Sequence, residues 1–181
     1  MSKNKNEEIE NAVRIILTAM GEDINREDLI DTPKRFAKYM MDFSPDKEKP
    51  KLTTFVAKSH GLVCVNGLEV RSLCSHHLAP FIGTASIAYY PKNKKAGLSK
   101  FQRALDYIAN RPQDQEKLTK ELLDFLVEEI EPLGMIIKIT AEHTCMTARG
   151  VQCHQAETTT IEVYGDCCKT DCYTSTIPFL K

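Results

Sequence analysis

The chain has 181 residues, with 24 Lys and Arg against 25 Asp and Glu and a formal net charge of −1. Apolar residues make up 42% and charged ones 27%, the balance of a soluble domain large enough to bury a core without staples. The near-zero charge excludes a global pull toward nucleic acid or anionic lipid, and no apolar run approaches the ~18 residues of a membrane span.

The start, "MSKNKNEEIENAV", is charged and then amphipathic, without the apolar core of a signal peptide. Seven cysteines (Cys64, Cys74, Cys145, Cys153, Cys167, Cys168, Cys172) are an odd number. Together these favour reduced thiols in a cytoplasm, available as metal ligands.

Ile9, Val13, Ile16, Leu17 and Met20 recur at helical spacing, with Gly21 as a stop. "DTPKRFAKYMMDF" announces a second helix, with Thr32 as cap, Pro33 in the first turn and Phe36, Tyr39, Met40 and Phe43 on one face. The polar "SPDKEKPK" then closes a helical segment expected over residues 1–50, ahead of one structural unit over 51–181. "LTTFVAKS", "GLVCV", "LEVRSLC" and "TASIAYYP" are β-branched and aromatic runs bounded by Gly, Asn or Pro, hence strands. A helical pair follows. "SKFQRALDYIAN" offers Ser99 as cap, and a longer helix starts at Pro112 with a stripe through Leu118, Leu122, Phe125, Leu126 and Ile130. "GMIIKITAEHTCMTARG" and "QAETTTIEVYG" return to strand character. Without βαβ alternation, the order predicts an α+β fold, mainly antiparallel, with helices layered on one face.

Cys74 and His77 have the spacing of two zinc ligands, and His76 lies between them. A third ligand has two sources. In "AEHTCM", His143 and Cys145 would share one face of an extended strand. The rival is the C-terminal Cys167, Cys168 and Cys172, which reads more simply as solvent-side thiols or incidental packing. If Cys74, His77 and Cys145 hold the ion, His76 and His143 remain beside it, able to pass protons near neutrality. Ser99, Lys100 and Arg103 open one helix, and Arg149 stands four residues past Cys145; such cations suit a phosphorylated substrate, although Arg103 alone reads as a solvated charge. Glu116, in the first turn of its helix, can accept from the N–H and amino group that guanine presents and adenine does not.

In their order and spacing, "CSHH", "GLSKxxR", "RPQxQExLT", "HxCMxxRG" and the "TTT" strand resemble GTP cyclohydrolase I. The resemblance runs from about residue 28 to 165. It implies a tunnelling fold, a four-stranded antiparallel sheet with two helices on one face, preceded by N-terminal helices. It implies subunits joined edge to edge, usually as a homodecamer. It also implies Zn2+ on Cys74, His77 and Cys145 with one position left for water, and attack on C8 of GTP. His76 would be the proton donor to N7, His143 a second acid/base group, and Ser99 a residue near the sugar. Gln115 and Glu116 would read guanine, while Lys100, Arg103, Arg149, Arg35 and Lys38 would face the triphosphate. The expected products are formate and 7,8-dihydroneopterin triphosphate. Two alternatives stand beside this: a relative stopping at the formamidopyrimidine, and a non-enzymatic assembly module in which zinc is a staple. One departure is visible: the family pattern is C-E-H-H, and Ser75 here replaces the glutamate and its charge.

Overall fold

A computed structural model describes residues 2–168, 178 and 180; Cys172 lies outside the described residues. The chain divides into two compact units, Met1–Ser44 and Pro45–Lys181, where the sequence suggested a division at residue 50.

The first unit holds α1 (Ser2–Ala19) and α2 (Thr32–Met41). Asp31, not Thr32, is the N-cap of α2, and Pro33 falls in its first turn, where a missing N–H is harmless. The residues α2 buries are Pro33 and Ala37. The expected aromatic face stays largely outside: Phe36 and Tyr39 are exposed and pack edgewise along the helix.

The second unit opens with β1 (Thr54–Val56), then β2 (Val63–Cys74), β3 (Pro80–Tyr90) and β4 (Lys94–Ala96). Next come α3 (Ser99–Ala109), β5 (Pro112–Gln113), α4 (Gln115–Ile130) and β6 (Gly134–His143). A one-turn helix α5 (Thr144–Thr147), β7 (Glu157–Gly165) and a 3-10 turn over Asp166–Cys168 follow. β2, β3, β6 and β7 form the antiparallel sheet, as the segment chemistry predicts. Two features depart from that reading. β1 and β4 pair separately as a small ribbon, and the two-residue β5 adds a parallel edge beside the end of β2. Accordingly the longer helix starts at Gln115, not at Pro112. "GLVCV" and "LEVRSLC" are one strand, with a bulge between Val65 and Leu68 where Gly67 takes φ +72°.

The core lies between this sheet and α3 and α4. Leu105, Leu118, Leu122 and Leu126 are fully buried with Phe81, Ile87, Ile137 and Ile139. Each such side chain contributes about 1.5–3 kcal/mol when removed from water. Gly83 marks the tightest approach. A Cβ there would stand 2.0 Å from the Thr140 carbonyl oxygen on the neighbouring strand. Gly83→Ala is therefore expected to lower unfolding stability by about 3 kcal/mol, because backbone rather than a flexible side chain must move. An unchanged denaturant midpoint would contradict this packing.

No helix among the described residues is long and apolar enough to cross a membrane. Their six cysteines are all free thiols.

Candidate active site and metal centre

The site forms where strands end. β2 finishes at Cys74, and the chain turns at once, with Leu78 N–H donating to Cys74 O at 2.8 Å and Leu78 in a left-handed conformation. The turn holds His76 and His77 outward. β6 finishes at His143, not beyond it. Thr144 Oγ1 donates to Pro80 O at 2.7 Å, anchoring the next residues against β3, and Cys145 sits on α5. Cys145 thus reaches the site from a helical turn; the expected extended strand with His143 and Cys145 on one face is not what brings them there.

The donor atoms of Cys74, His77 and Cys145 lie within 4.8 Å of one another. Cys74 Sγ is 3.8 Å from His77 Nδ1. Around a tetrahedral zinc ion with S and N ligands, neighbouring donors stand about 3.5–3.8 Å apart. The donor set and its spacing therefore fit such an ion. Among the described residues this cluster supplies two thiols and one imidazole, the number of protein ligands that a catalytic zinc centre takes. Burial, together with the neighbouring Cys74, raises the Cys145 thiol's proton affinity, and Arg149 partly opposes this. Arg149 Nη2 donates to His77 Nε2 at 2.8 Å, so the ring's proton is on Nδ1, toward Cys74.

His143 is held by two contacts. Its ring stacks on Phe81 at 4.7 Å, and its Nε2 donates to Gln115 Oε1 at 2.8 Å. The direction of that bond is fixed by Gln115, whose Nε2 donates to Ile139 O and Thr158 O. With the amide so oriented, His143 carries its proton on Nε2 and keeps a lone pair on Nδ1. Burial lowers the proton affinity of His143, and Glu116 partly restores it. Gln115, expected against guanine, is only 1% exposed and uses its side chain inside the protein. Thr119 supports the same network, bonding to Gln115 O and to Thr160.

A cleft of ≈ 460 Å³ gathers Cys74, His76, His77, Gln115, Glu116, His143 and Cys145, and adds Asp114, Lys117 and Thr158. Glu116 is exposed in the first turn of α4, where the helix dipole favours a carboxylate. Ser99, Lys100 and Arg103 open α3 and do not line this cleft. Leu98, not Ser99, is the N-cap of α3. Arg35 and Lys38 belong to the first unit, where they line a hollow with Asp31, and Arg35 pairs with Asp31 at 3.2 Å. Of the rival C-terminal thiols, Cys167 is buried and Cys168 exposed, and neither joins the cluster. Sequence reasoning missed Asp114, whose signal was its position before α4, and the threonine network under His143.

A helix-backed antiparallel sheet of this topology places the chain among tunnelling-fold proteins. The crystal structure of an archaeosine synthase QueF-Like in the apo form superposes with a TM-score of 0.50 over 60% of this chain and 97% of that one, at 18% identity. The family model for GTP cyclohydrolase I matches residues 9–176. GTP cyclohydrolase 1 of Geobacillus kaustophilus is 47% identical over 163 residues, 87% of each chain. Those of Bacillus subtilis and Bacillus pumilus are 46% and 48% identical over 170 residues, 91% of this chain and 90% of theirs. The chain belongs to the GTP cyclohydrolase I family, and it is an enzyme, a hydrolase.

Proposed function

We propose that the protein opens the imidazole ring of GTP at C8, releases that carbon as formate and rearranges the remainder to 7,8-dihydroneopterin triphosphate, with Zn2+ on Cys74, His77 and Cys145. The observation that carries this reading is the convergence of the two-thiol, one-imidazole cluster with His76, His143 and Glu116 around one cleft. Zinc, when bound there, supplies Lewis acidity that makes water acidic enough to react near neutral pH.

The chain's own residues do the rest. Glu116 accepts from N1–H and the 2-amino group of guanine, an edge adenine lacks, and so seats the purine. His76 delivers a proton to N7 as C8 is attacked, because neutral guanine is a poor electrophile at that carbon. His143, with its lone pair on Nδ1, takes and returns protons as the C8–N bonds break and the sugar opens. Ser99 acts at the sugar. Water is consumed in both hydrolytic steps, and one is returned when the rearranged sugar closes on the freed amine, so GTP and one water give formate and product.

Lys100, Arg103, Arg149, Arg35 and Lys38 are proposed for the triphosphate, the last two across a subunit boundary. Were His77 to hold a cation through Nδ1, its proton would lie on Nε2, and Arg149 Nη2 would lose that acceptor and be free to meet an anion while its Nε still donates to Cys145 O. A homo-oligomer, proposed as a decamer, is supported by β7, a nine-residue strand at the edge of the sheet among the described residues, and by exposed Ile82, Ile161 and Tyr164. A cytoplasmic setting is proposed from the free thiols.

The test is incubation of zinc-loaded protein with GTP. Formate is expected in amounts equal to a product that becomes a fluorescent pterin on oxidation, and ATP is expected to give neither. A product that keeps the formyl carbon by mass would replace this reading with the arrested ring-opening, and no turnover at all would remove both.

A further inference from the structure

The turn after β2 carries Ser75 where the C-E-H-H pattern has its glutamate, yet a carboxylate still stands beside His76. β5 runs parallel to the end of β2 with Gln113 in register with Cys74, and Ser75 N–H donates to Gln113 O at 3.1 Å. This pairing brings residue 114 against residue 75 across 39 positions of sequence. Asp114 is the N-cap of α4, with extended backbone at φ −92° and ψ 142°. An aspartate in that place ordinarily accepts from the helix's first free N–H groups. Here it makes no such cap bond. Its Oδ1 accepts from Ser75 Oγ instead, and the same oxygen lies 3.9 Å from His76 Nδ1. Cys74 Sγ faces that nitrogen at 3.6 Å. The His76 side chain is 72% exposed, and its ring meets the His77 ring only at 6.2 Å between centroids, so packing does not set its rotamer.

We propose that Asp114 is the positioning residue of His76. Clamped by the Ser75 hydroxyl, its carboxylate keeps Nδ1 turned inward and leaves Nε2 directed away, free to meet a substrate. The carboxylate that the strand-end turn lacks is thereby supplied from the start of α4. The proposal rests on the acid/base role given to His76 above.

The experiment compares Asp114→Asn, Ser75→Ala and the double variant Ser75→Glu/Asp114→Asn, each loaded with zinc. Asparagine keeps the shape and can still accept from Ser75, so the fold should survive. Asp114→Asn is expected to lower kcat by about ten- to a hundredfold, with KM for GTP and zinc content within about twofold of wild type. Ser75→Ala should show a smaller loss of the same kind. The double variant should recover most of the loss, because residue 75 then carries the carboxylate. Full turnover in Asp114→Asn, or no recovery in the double variant, would overturn the proposal. Crystal structures of the zinc-loaded wild type and Asp114→Asn give a readout independent of activity. One His76 orientation with Nδ1 toward residue 114 is expected in the first, and a turned or divided ring in the second. An identical ring in both would equally overturn it. If wild type itself releases no formate from GTP, the functional reading fails and the pair of structures alone decides the role of Asp114.

Discussion

Cys145→Ala should abolish zinc binding and formate release together while the protein stays folded. Cys145 is half-buried on a four-residue turn at the margin of the main cluster, so its truncation removes little packing. Among the described residues its thiol is one of three converging donors, and two remaining ligands hold zinc poorly. Lewis acidity worth several kcal/mol at the transition state would go with the ion, which corresponds to a loss of about a thousandfold or more. Metal analysis, formate release and a denaturant midpoint read the three quantities separately. The staple alternative makes the opposite forecast, that the chain unfolds without Cys145. A folded variant that keeps both zinc and turnover would exclude this residue from the centre.

The second large effect is expected at Glu116. The carboxylate is exposed in the cleft and has no ion pair among the described residues, so Glu116→Gln should leave folding and zinc content unchanged. The new amide would set an N–H against the donor edge of guanine, leaving one hydrogen bond lost and one contact opposed. A site built to pair a polar edge discriminates steeply when that pairing is removed, and kcat/KM for GTP should fall about a thousandfold. Steady-state kinetics on GTP measure it; a decrease of less than about threefold would show that guanine is read elsewhere.

The scaffold was legible where a segment's chemistry is self-contained. The β-branched runs of β2, β3 and β6 and the leucine stripe of α4 declare themselves because each carries a line of buried side chains, whereas β7 buries none and shows only through its alternation of half-buried and exposed positions. The C-x-x-H of Cys74 and His77 was legible for the same reason, being local. Cys145 does lie beside Cys74 and His77, but not by the route the alternation suggested. The period of two carries to His143 and stops there, since Thr144 turns the chain by bonding Pro80, a partner 64 residues earlier. Gln115 looked like a base-reading neighbour of Glu116. Only the sheet behind α4 reveals that it faces inward, toward Ile139, Thr158 and His143. Asp114 and Ser75 could not be joined from sequence, because a helix drawn from Pro112 conceals the two-residue strand that aligns them. Long-range register, rather than composition, decided each of these cases.

X-ray absorption at the zinc edge, on protein loaded with one ion per chain, reads the proposed coordination directly. Two sulfur ligands at about 2.3 Å and one imidazole nitrogen at about 2.0 Å are expected, with a light oxygen scatterer completing the shell. Three or four sulfurs, two imidazoles, or four protein ligands with no solvent position would contradict a catalytic centre built from Cys74, His77 and Cys145.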